Sequence, residues 1–186
     1  MNIDIEKIHK FVNDIHIDMT EEDMLDILKM TRRWPYKYHW GQESVEILTN
    51  FGRKHSCFFD GDHYLNYDAW KKFYDRGFLT MVVNCLDTTK KFRQINEFIT
   101  DTTGGIPCGN AYFSKGAKDI VPSWDPHEHR YWVIVKQIYG TCTWKLGDDK
   151  FDLAPQQSIV IPPGVPHAVI NHENKRLSLT INLDDM

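Results

Sequence analysis

The C-terminal half of the chain is a run of short strand-like segments, and this run restricts the fold more than any other feature. From about residue 106 onward, stretches rich in β-branched and aromatic residues are separated by Gly, Pro, Asn and Asp. The segments are CGNAYFS, RYWVIVKQIYG, TCTWKLG, KFDLA, SIVIPPG, HAVIN and RLSLTINL. Seven or eight short strands within roughly eighty residues are what a jelly-roll barrel requires. We therefore predict a mainly β fold with a jelly-roll core over 106–186.

The first 105 residues are predominantly helical in pattern. Residues 3–17 repeat apolar side chains at helical spacing, and TEEDMLDILKM begins with a Thr cap and an acidic first turn. YDAWKKFYDRG and TTKKFRQINEFITDTTGG predict two further helices that end at glycines, with a buried strand, FLTMVVNC, between them. RRWPYKYHWGQ has no clear period and predicts a packed loop, with a surface that contacts the substrate as the alternative. We expect 1–105 to be a helical N-terminal portion that packs on the barrel and contributes strands to it, within one structural domain.

Composition narrows the function only slightly. The chain has 186 residues, a hydrophobic fraction of 41% and a formal net charge of −4, which fits an ordinary folded enzyme. Dispersed Lys and Arg argue against nucleic acid as the main partner, because binding the phosphate backbone needs a concentrated basic surface. The opening segment is acidic and amphipathic, so it predicts neither a signal peptide nor a membrane span. We expect a small-molecule or peptide substrate, and the sequence is compatible with a homodimer.

Four cysteines are scattered through the chain without C-x-x-C spacing. Such usage suits a reducing compartment, where thiols stay free, better than a secreted disulfide scaffold. A cytoplasmic location is therefore expected.

Three histidines form the strongest chemical pattern. His127 and His129 are two residues apart, so in an extended strand both imidazoles project to the same side. A later segment reads P-x-G-x-x-H-x-x-x-N from Pro162 to Asn171, and a Pro-Gly turn can reverse the chain and deliver His167 onto a neighbouring strand. Three imidazoles on one face with open positions beside them predict a catalytic metal site.

These two segments resemble the two motifs of the cupin superfamily. In that family H-x-H opens the first motif, a Gly closes it further along, and P-x-G-x-x-H-x-x-x-N forms the second. Gly140 stands at the Gly position, whereas the usual Glu falls on Val133 or Ile134 and is absent. The resemblance implies a double-stranded β-helix whose metal is held by His127, His129 and His167 without a carboxylate.

The stretch from YDRGFLTMVVNCLD through GNAYFSKG to HEHRYWVIVKQIYGTCTWKL resembles the JmjC and cupin-like hydroxylase branch. That branch has H-x-D followed by a Gln and a Gly, and this register reaches Gln137 and Gly140. His129 stands at the Asp position, so a neutral ligand replaces the anionic arm of a 2-His-1-carboxylate iron site. The resemblance implies Fe(II) as the metal and 2-oxoglutarate as the cosubstrate.

Strand parity assigns faces independently of any family. If 125–139 is largely extended, one face carries the two histidines of H-x-H, and Glu128 lies on the other face with Trp124, so Glu128 is not a ligand. The residues that share the histidine face are Asp125, Tyr131, Val133, Val135, Gln137 and Tyr139. Asp125 and Tyr131, together with Gln137, Asn171 and Thr180, are candidates to contact the substrate or to support the ligands. For Gln137, a structural bond to a turn is an equally good interpretation.

The last segment, RLSLTINL, has the clearest alternation in the chain, and its polar face carries Arg176, Ser178 and Thr180. This face must line either solvent or a wet cavity. Arg176 follows His167 by nine residues, and this spacing resembles the distal His and R-x-S motif of the 2-oxoglutarate and isopenicillin-synthase-like oxygenases. The resemblance implies that the guanidinium and the Ser178 hydroxyl hold the distal carboxylate of the cosubstrate.

The JmjC branch carries its carboxylate anchor elsewhere. There a Lys or Arg stands at the position that Cys142 occupies here, and Lys145, three residues further on, is a second candidate anchor. Arg176 is the better one, because Lys145 lies on the opposite strand face from Cys142. An exposed edge-strand face is the alternative interpretation of Arg176 and Ser178.

Together with the sequence, these resemblances imply an Fe(II)-dependent oxygenase that uses O₂ and 2-oxoglutarate to oxidise a small-molecule or peptide-like substrate. Two alternatives stay open. One is a three-histidine cupin, a dioxygenase or isomerase, that works without 2-oxoglutarate. The other is a cupin that binds a ligand and catalyses nothing.

Overall fold

The computed structural model describes residues 3–30, 44–49, 57–84, 90–105, 107–116, 123–171 and 174–183. The predicted loop RRWPYKYHWGQ lies outside these residues. The helices of the described part are α1 (Ile5–Asp14), α2 (Glu21–Met30), α3 (Tyr67–Tyr74) and α4 (Lys90–Thr103). Its strands are β1 (Val45–Thr49), β2 (Leu79–Asn84), β3 (Cys108–Ser114), β4 (Trp132–Tyr139), β5 (Cys142–Leu146), β6 (Asp149–Leu153), β7 (Ser158–Ile161), β8 (His167–Asn171) and β9 (Arg176–Leu183).

The strands form two antiparallel sheets. The larger sheet has the order β1-β2-β3-β9-β4-β7, and the smaller sheet has the order β6-β5-β8. Since β4 and β5 are consecutive but lie in different sheets, the chain crosses between the sheets as a jelly roll does. The predicted mainly β fold with an N-terminal helical portion is confirmed. Of the described strands, β1 is the one that the sequence pattern did not predict.

One face of the larger sheet is apolar and covered by helices. Leu177, Leu179, Ile181 and Leu183 of β9 point into this core, as the alternation of RLSLTINL predicts. The largest buried side chains here, Trp70 and Tyr74 of α3, stack on each other with ring centroids 4.7 Å apart. Each fully buried large apolar side chain contributes about 1.5–3 kcal/mol to folding. Burial of these side chains therefore holds the helical layer against this face of the sheet.

The opposite face of the larger sheet is polar and faces the smaller sheet. Strand pairing sets Glu46, Val82, Tyr112, Ser178 and Gln137 in one row across β1, β2, β3, β9 and β4. Directly paired residues of antiparallel strands project to the same side. The sheet thus has a dry side under the helices and a polar side that is available to line a cavity.

Lys136 is a buried charge on the helix-covered face. Its Nζ donates to the carbonyl oxygen of Asn13 at 2.8 Å and to that of Gln156 at 2.6 Å. Asn13 lies in the last turn of α1, where unpaired carbonyls carry partial negative charge. Burial lowers the pKa of Lys136. This contact fastens α1 to β4 and to the turn before β7.

Gly140 makes the sharp turn between the two sheets. Its φ is +71°, and a Cβ at this position would overlap the carbonyl oxygen of Lys175. A glycine is therefore required both for the backbone conformation and for the close approach of the chain just before β9.

Within the described residues, no helix is long and apolar enough to span a bilayer.

Candidate metal centre and cavity

Backbone pairing brings the three predicted ligands together. His127 and His167 form an isolated antiparallel bridge, in which each backbone N–H donates to the other's carbonyl at 3.2 and 2.9 Å. Gly164, with φ +74°, donates its N–H to the carbonyl of His129 at 2.7 Å. The Pro-Gly turn thus holds both histidine segments, as its sequence predicts.

Hydrogen bonds to carbonyls fix the protonation of two of the imidazoles. Nδ1 of His127 is 2.8 Å from the carbonyl oxygen of Asp125, and Nδ1 of His167 is 3.0 Å from that of Val165. A carbonyl oxygen only accepts, so each Nδ1 must carry the proton. In the neutral form of each ring, Nε2 therefore keeps its lone pair for a metal ion, and such backbone support is typical of histidine ligands.

The three imidazoles are close enough to share one ion. One nitrogen from each ring of His127, His129 and His167 lies within 4.8 Å of the others. Metal–nitrogen bonds of about 2.1 Å need two ligand nitrogens to lie no more than about 4.2 Å apart, so an ion bound here would draw the rings closer together. The His129 ring stacks on Tyr131 with centroids 4.7 Å apart, which orients the third ligand. The donor set fits a transition-metal ion with free coordination positions.

Two imidazoles of the cluster, those of His129 and His167, have lowered pKa values. Burial, together with the positive charge that His127 and His167 would carry, lowers the pKa of His129 to about 4. Burial also lowers the pKa of His167. Since only a neutral imidazole ligates a metal, these two shifts favour metal binding by His129 and His167 at neutral pH.

The histidines lie in the wall of a cavity of about 500 Å³ between the two sheets. This volume suits a small molecule or an extended side chain. The polar and titratable side chains that line it, besides the three histidines, are Glu46, Asn110, Tyr112, Ser123, Asp125, Tyr131, Arg176, Ser178, Thr180 and Asn182. Trp124, Val133, Val135, Trp144 and Val169 contribute most of the apolar wall.

Arg176 is a buried cation in this cavity. Its side chain is 1% exposed, and its Nη1 donates to Ser178 Oγ at 3.3 Å and to Cys142 Sγ at 3.7 Å. Its Nε has no hydrogen-bond partner, and among the described residues no carboxylate pairs with it. Because β9 is central in the sheet, the alternative of an exposed edge strand is wrong. A buried guanidinium with neutral contacts is costly unless an anion neutralises it.

Gln137 supports this arrangement from behind. Its Nε2 donates to the carbonyls of Tyr139 and Gly140 at 2.8 and 2.9 Å, and its Oε1 accepts from Ser178 Oγ at 2.7 Å. Gln137 is fully buried and does not line the cavity. Gln137 was interpreted either as a substrate contact or as a structural bond to a turn, and the structure shows the bond to the turn. Gln137 also positions the Ser178 hydroxyl.

The other predicted site residues differ in their placement. Asp125 is exposed at the cavity rim and supports His127 through its carbonyl and not its carboxylate. Tyr131 and Thr180 line the cavity, whereas Lys145 does not, because its neighbour Trp144 occupies the inner face of β5. The side chain of Asn171 lies outside the described part of the structure.

The faces that strand parity predicts agree with the structure up to Gln137, except at Trp124, and they differ again at Tyr139. Glu128 is exposed and absent from the histidine cluster, as predicted. Trp124, however, lines the cavity, because 123–131 precedes β4 and is not a regular strand. Tyr139 packs with the helix-covered core, because a register shift between Gln137 and Tyr139 reverses the side on which it projects.

Sequence reasoning missed Glu46, Asn110, Tyr112 and Trp144 as cavity residues. Glu46 is 4% exposed and reaches the cavity on β1, the strand that was not predicted. The β-branched residues in SVEILT were the available signal for that strand. Burial raises the pKa of Tyr112 to about 12, and the negative charge of Glu46 adds to this shift, so the phenol is neutral.

The comparisons with known proteins agree with this architecture. Residues 113–183 match the family model described as a cupin domain, and no curated protein matches the chain. The chain is similar to the ribosomal oxygenase YcfD from Escherichia coli, with 15% identity and a TM-score of 0.62 over 93% of this chain and 46% of that chain. It thus spans less than half the length of YcfD.

Two further structures are similar over different shares of the chain. YcfD in complex with cobalt and succinic acid matches with 14% identity and a TM-score of 0.58, again over 93% of this chain and 46% of that chain. A cupin superfamily protein from Desulfitobacterium hafniense matches with 19% identity over 42% of this chain and 68% of that chain, with a TM-score of 0.38. Residues 113–183 therefore match a cupin domain, and the fold of the chain as a whole resembles that of YcfD.

Proposed function

We propose that this protein is an Fe(II)-dependent oxygenase that uses 2-oxoglutarate and O₂ to oxidise a small molecule or a peptide-like substrate. In such a reaction, bound Fe(II) couples decarboxylation of 2-oxoglutarate to succinate and CO₂ with transfer of an oxygen atom to the substrate. His127, His129 and His167 would hold the metal. The cavity walls would exclude water and position the two organic reactants.

The buried charge of Arg176 is the observation that carries the proposal. The Arg176 guanidinium is 1% exposed, its Nε has no hydrogen-bond partner, and its Nη1 donates to a hydroxyl and a thiol. Such a buried cation calls for an anionic ligand. Its planar N–H donors match the two oxygens of a carboxylate. Because the same cavity contains the three imidazoles, a dicarboxylate could reach both Arg176 and the metal.

Two further observations support the proposal. The Ser178 hydroxyl accepts a hydrogen bond from Arg176 and donates one to Gln137, so the two side chains of the R-x-S pair already lie side by side. The related fold of YcfD is known in complex with cobalt and succinic acid, and succinate is the dicarboxylate that 2-oxoglutarate oxidation releases. At 14% identity that likeness supports the fold, and the choice of cosubstrate rests on Arg176.

The neutral ligand set favours a second candidate function. Within the described residues no carboxylate joins the histidine cluster, so bound iron would keep its full positive charge. Such a centre attracts an anionic chelating substrate directly. A three-histidine dioxygenase or isomerase that works without 2-oxoglutarate would use the cavity in this way, and Arg176 would then bind the substrate.

Calorimetric titration of 2-oxoglutarate into the Mn(II)-loaded protein tests the proposal. We expect 2-oxoglutarate to bind the parent, and Arg176→Leu to weaken binding by about 1.5–3 kcal/mol, the range for a hydrogen bond to a charged group. Metal content should not change. Arg130→Leu is the matched control, because Arg130 is exposed and does not line the cavity.

Succinate formation by the Fe(II)-loaded protein under O₂ is the second readout. Equal affinities of the parent and Arg176→Leu, or no binding to the parent, would reject 2-oxoglutarate as the cosubstrate. Oxidation or isomerisation of a substrate without succinate would then favour the three-histidine enzyme. A protein that binds ligands but turns none over would be the non-catalytic cupin.

A further inference from the structure

Trp144 carries an N–H donor without an acceptor in the wall of the cavity. Its side chain is 6% exposed and lines the cavity from the inner face of β5. Its Nε1 is buried and has no hydrogen-bond partner in the part of the chain that the structure describes. An indole nitrogen only donates, and a buried tryptophan N–H usually has an acceptor. The described part of the fold does not supply one here.

The side chains packed around the indole offer it no oxygen. Trp144 belongs to a hydrophobic cluster whose other buried members are Val133, Val135, Cys142, Leu153, Ile161 and Val169. The ring centroid of His167 lies 6.4 Å from that of Trp144, but the Nδ1 of this histidine is already bonded to the carbonyl of Val165. We therefore expect the missing acceptor to come from a molecule bound in the cavity.

Trp144 lies between the arginine anchor and the histidines along β5. Cys142, two residues earlier on the same face, is in contact with Arg176 at 3.7 Å. Leu146, two residues later, pairs with His167 of β8. Each of these two-residue steps covers about 6.6 Å along the strand. A molecule that extends from Arg176 towards the histidines therefore passes Trp144.

We propose that Trp144 is a ligand-binding residue, and that its indole N–H donates to an oxygen at the end of the bound anion that is away from Arg176. Arg176 holds one carboxylate, and Trp144 holds the opposite end of the molecule beside the histidines. A site with a buried donor rejects a ligand that lacks the matching acceptor. This inference rests on the proposed function and deepens it, because it assigns a residue that selects anions with oxygen atoms at both ends.

The test compares two anions on the full chain without added metal. Glutarate and pentanoate have the same number of carbons and share one carboxylate, and they differ in a second carboxylate against a methyl group. Trp144→Phe removes the N–H, and replacement of Trp144 by 3-benzothienylalanine exchanges the N–H for sulfur and keeps the shape of the ring. Chemical-shift titration gives each affinity. We expect both changes to weaken glutarate about tenfold, the worth of one hydrogen bond to a charged group, and to leave pentanoate within about twofold.

The indole proton of Trp144 gives a direct second readout. Its signal is identified by its loss in Trp144→Phe. In the parent, glutarate should move this signal to lower field, as hydrogen bonding does, whereas pentanoate should not. The same sulfur replacement at Trp132 is the matched control and should alter neither affinity, because Trp132 packs against the helix-covered core and does not line the cavity. Arg176→Leu should weaken both anions, because it removes the partner of the carboxylate that they share.

Several results would overturn the inference. They are equal weakening of glutarate and pentanoate by the sulfur replacement at Trp144, an indole signal that glutarate does not move, equal effects of the replacement at Trp132, and no binding of glutarate to the parent. If one of these occurs while 2-oxoglutarate binds the Mn(II) form through Arg176, the role of Trp144 is wrong and the proposed function stands. If glutarate binding depends on the indole N–H but 2-oxoglutarate yields no succinate, the proposed function is wrong and the role of Trp144 stands.

Discussion

Arg176 lies against Cys142, with its Nη1 3.7 Å from the Cys142 sulfur. By resemblance, residue 142 is the position at which the JmjC branch carries a basic anchor, and Arg176 stands at the position of the R-x-S arginine of another oxygenase group. Cys142 lies in β5 of the smaller sheet and Arg176 in β9 of the larger sheet, so strands of different sheets bring these two positions together. A basic side chain from either strand could serve the same carboxylate.

This contact predicts that the anchor can be moved between strands. Arg176→Leu should lose most of the 2-oxoglutarate affinity, and Cys142→Lys in the same chain should recover about 1–2 kcal/mol of it, because the ammonium would occupy the vacated position. Calorimetry on the Mn(II) forms measures this. Arg176→Leu with Cys142→Ser is the control. If the lysine recovers no more affinity than the serine does, the two positions do not serve one carboxylate.

Metal binding should depend on all three histidines. His127→Ala, His129→Ala and His167→Ala should each abolish stoichiometric binding of Fe(II) or Mn(II), because two remaining imidazoles hold a labile ion weakly. Glu128→Ala should bind normally, since Glu128 is exposed and outside the cluster. Metal content after anaerobic reconstitution measures this. Loss of metal in Glu128→Ala with retention in His129→Ala would contradict the assigned ligands.

His129→Asp tests whether His129 stands in for the carboxylate of the hydroxylases. The variant should bind Fe(II), because aspartate supplies an anionic ligand at the same place in the cluster. Its conversion of 2-oxoglutarate to succinate in the absence of substrate should equal or exceed that of the parent. Succinate is quantified against the metal bound. A variant that binds iron yet makes no succinate, beside an active parent, would refute the equivalence.

The metal-free protein should lose stability as pH falls from neutral. The pKa of His129 is about 4 in the folded state, whereas histidine in an unfolded chain titrates near 6.5. The unfolded state therefore takes up the proton first, and the contribution of His129 to stability is present above about pH 6.5 and is lost between about pH 6.5 and pH 4. Urea unfolding measured at about pH 7 and pH 5 gives the difference.

His129→Gln should reduce this difference, because glutamine does not titrate. His16→Gln, a change at an exposed histidine outside the cluster, should leave the difference as it is in the parent. Equal pH dependence in the parent and in both variants would show that the cluster does not impose the loss of stability.

Gly140→Ala should destabilise the fold far more than Gly147→Ala. Both glycines have positive φ, but a Cβ at Gly147 meets no atom within 4 Å, whereas one at Gly140 overlaps the carbonyl of Lys175. We expect a loss of about 1–2 kcal/mol in the free energy of unfolding at Gly147, and of about 3 kcal/mol or more at Gly140. Denaturant midpoints measure both. Similar losses would show that the chain before Arg176 yields easily.

Local pattern was enough to determine several features of this protein. Side chains two apart on an extended chain share a face, so H-x-H predicts that His127 and His129 lie together, and their ring centroids are 5.0 Å apart. The Pro-Gly turn brings His167 back to them through short-range backbone geometry. Alternation in RLSLTINL likewise separated an apolar face from the face that carries Arg176.

Only the tertiary structure decided which distant residues share the cavity. Glu46 faces it because β1 pairs with β2 in a particular register, and a shift of one residue would turn Glu46 into the helix-covered core. Arg176 meets Cys142 because strands of different sheets converge across the barrel. Pairing and sheet packing join residues far apart in the chain, and the energies that select one register are spread over the whole core. For that reason the histidine ligands could be predicted from the sequence, whereas Glu46 and Asn110 in the cavity wall could not.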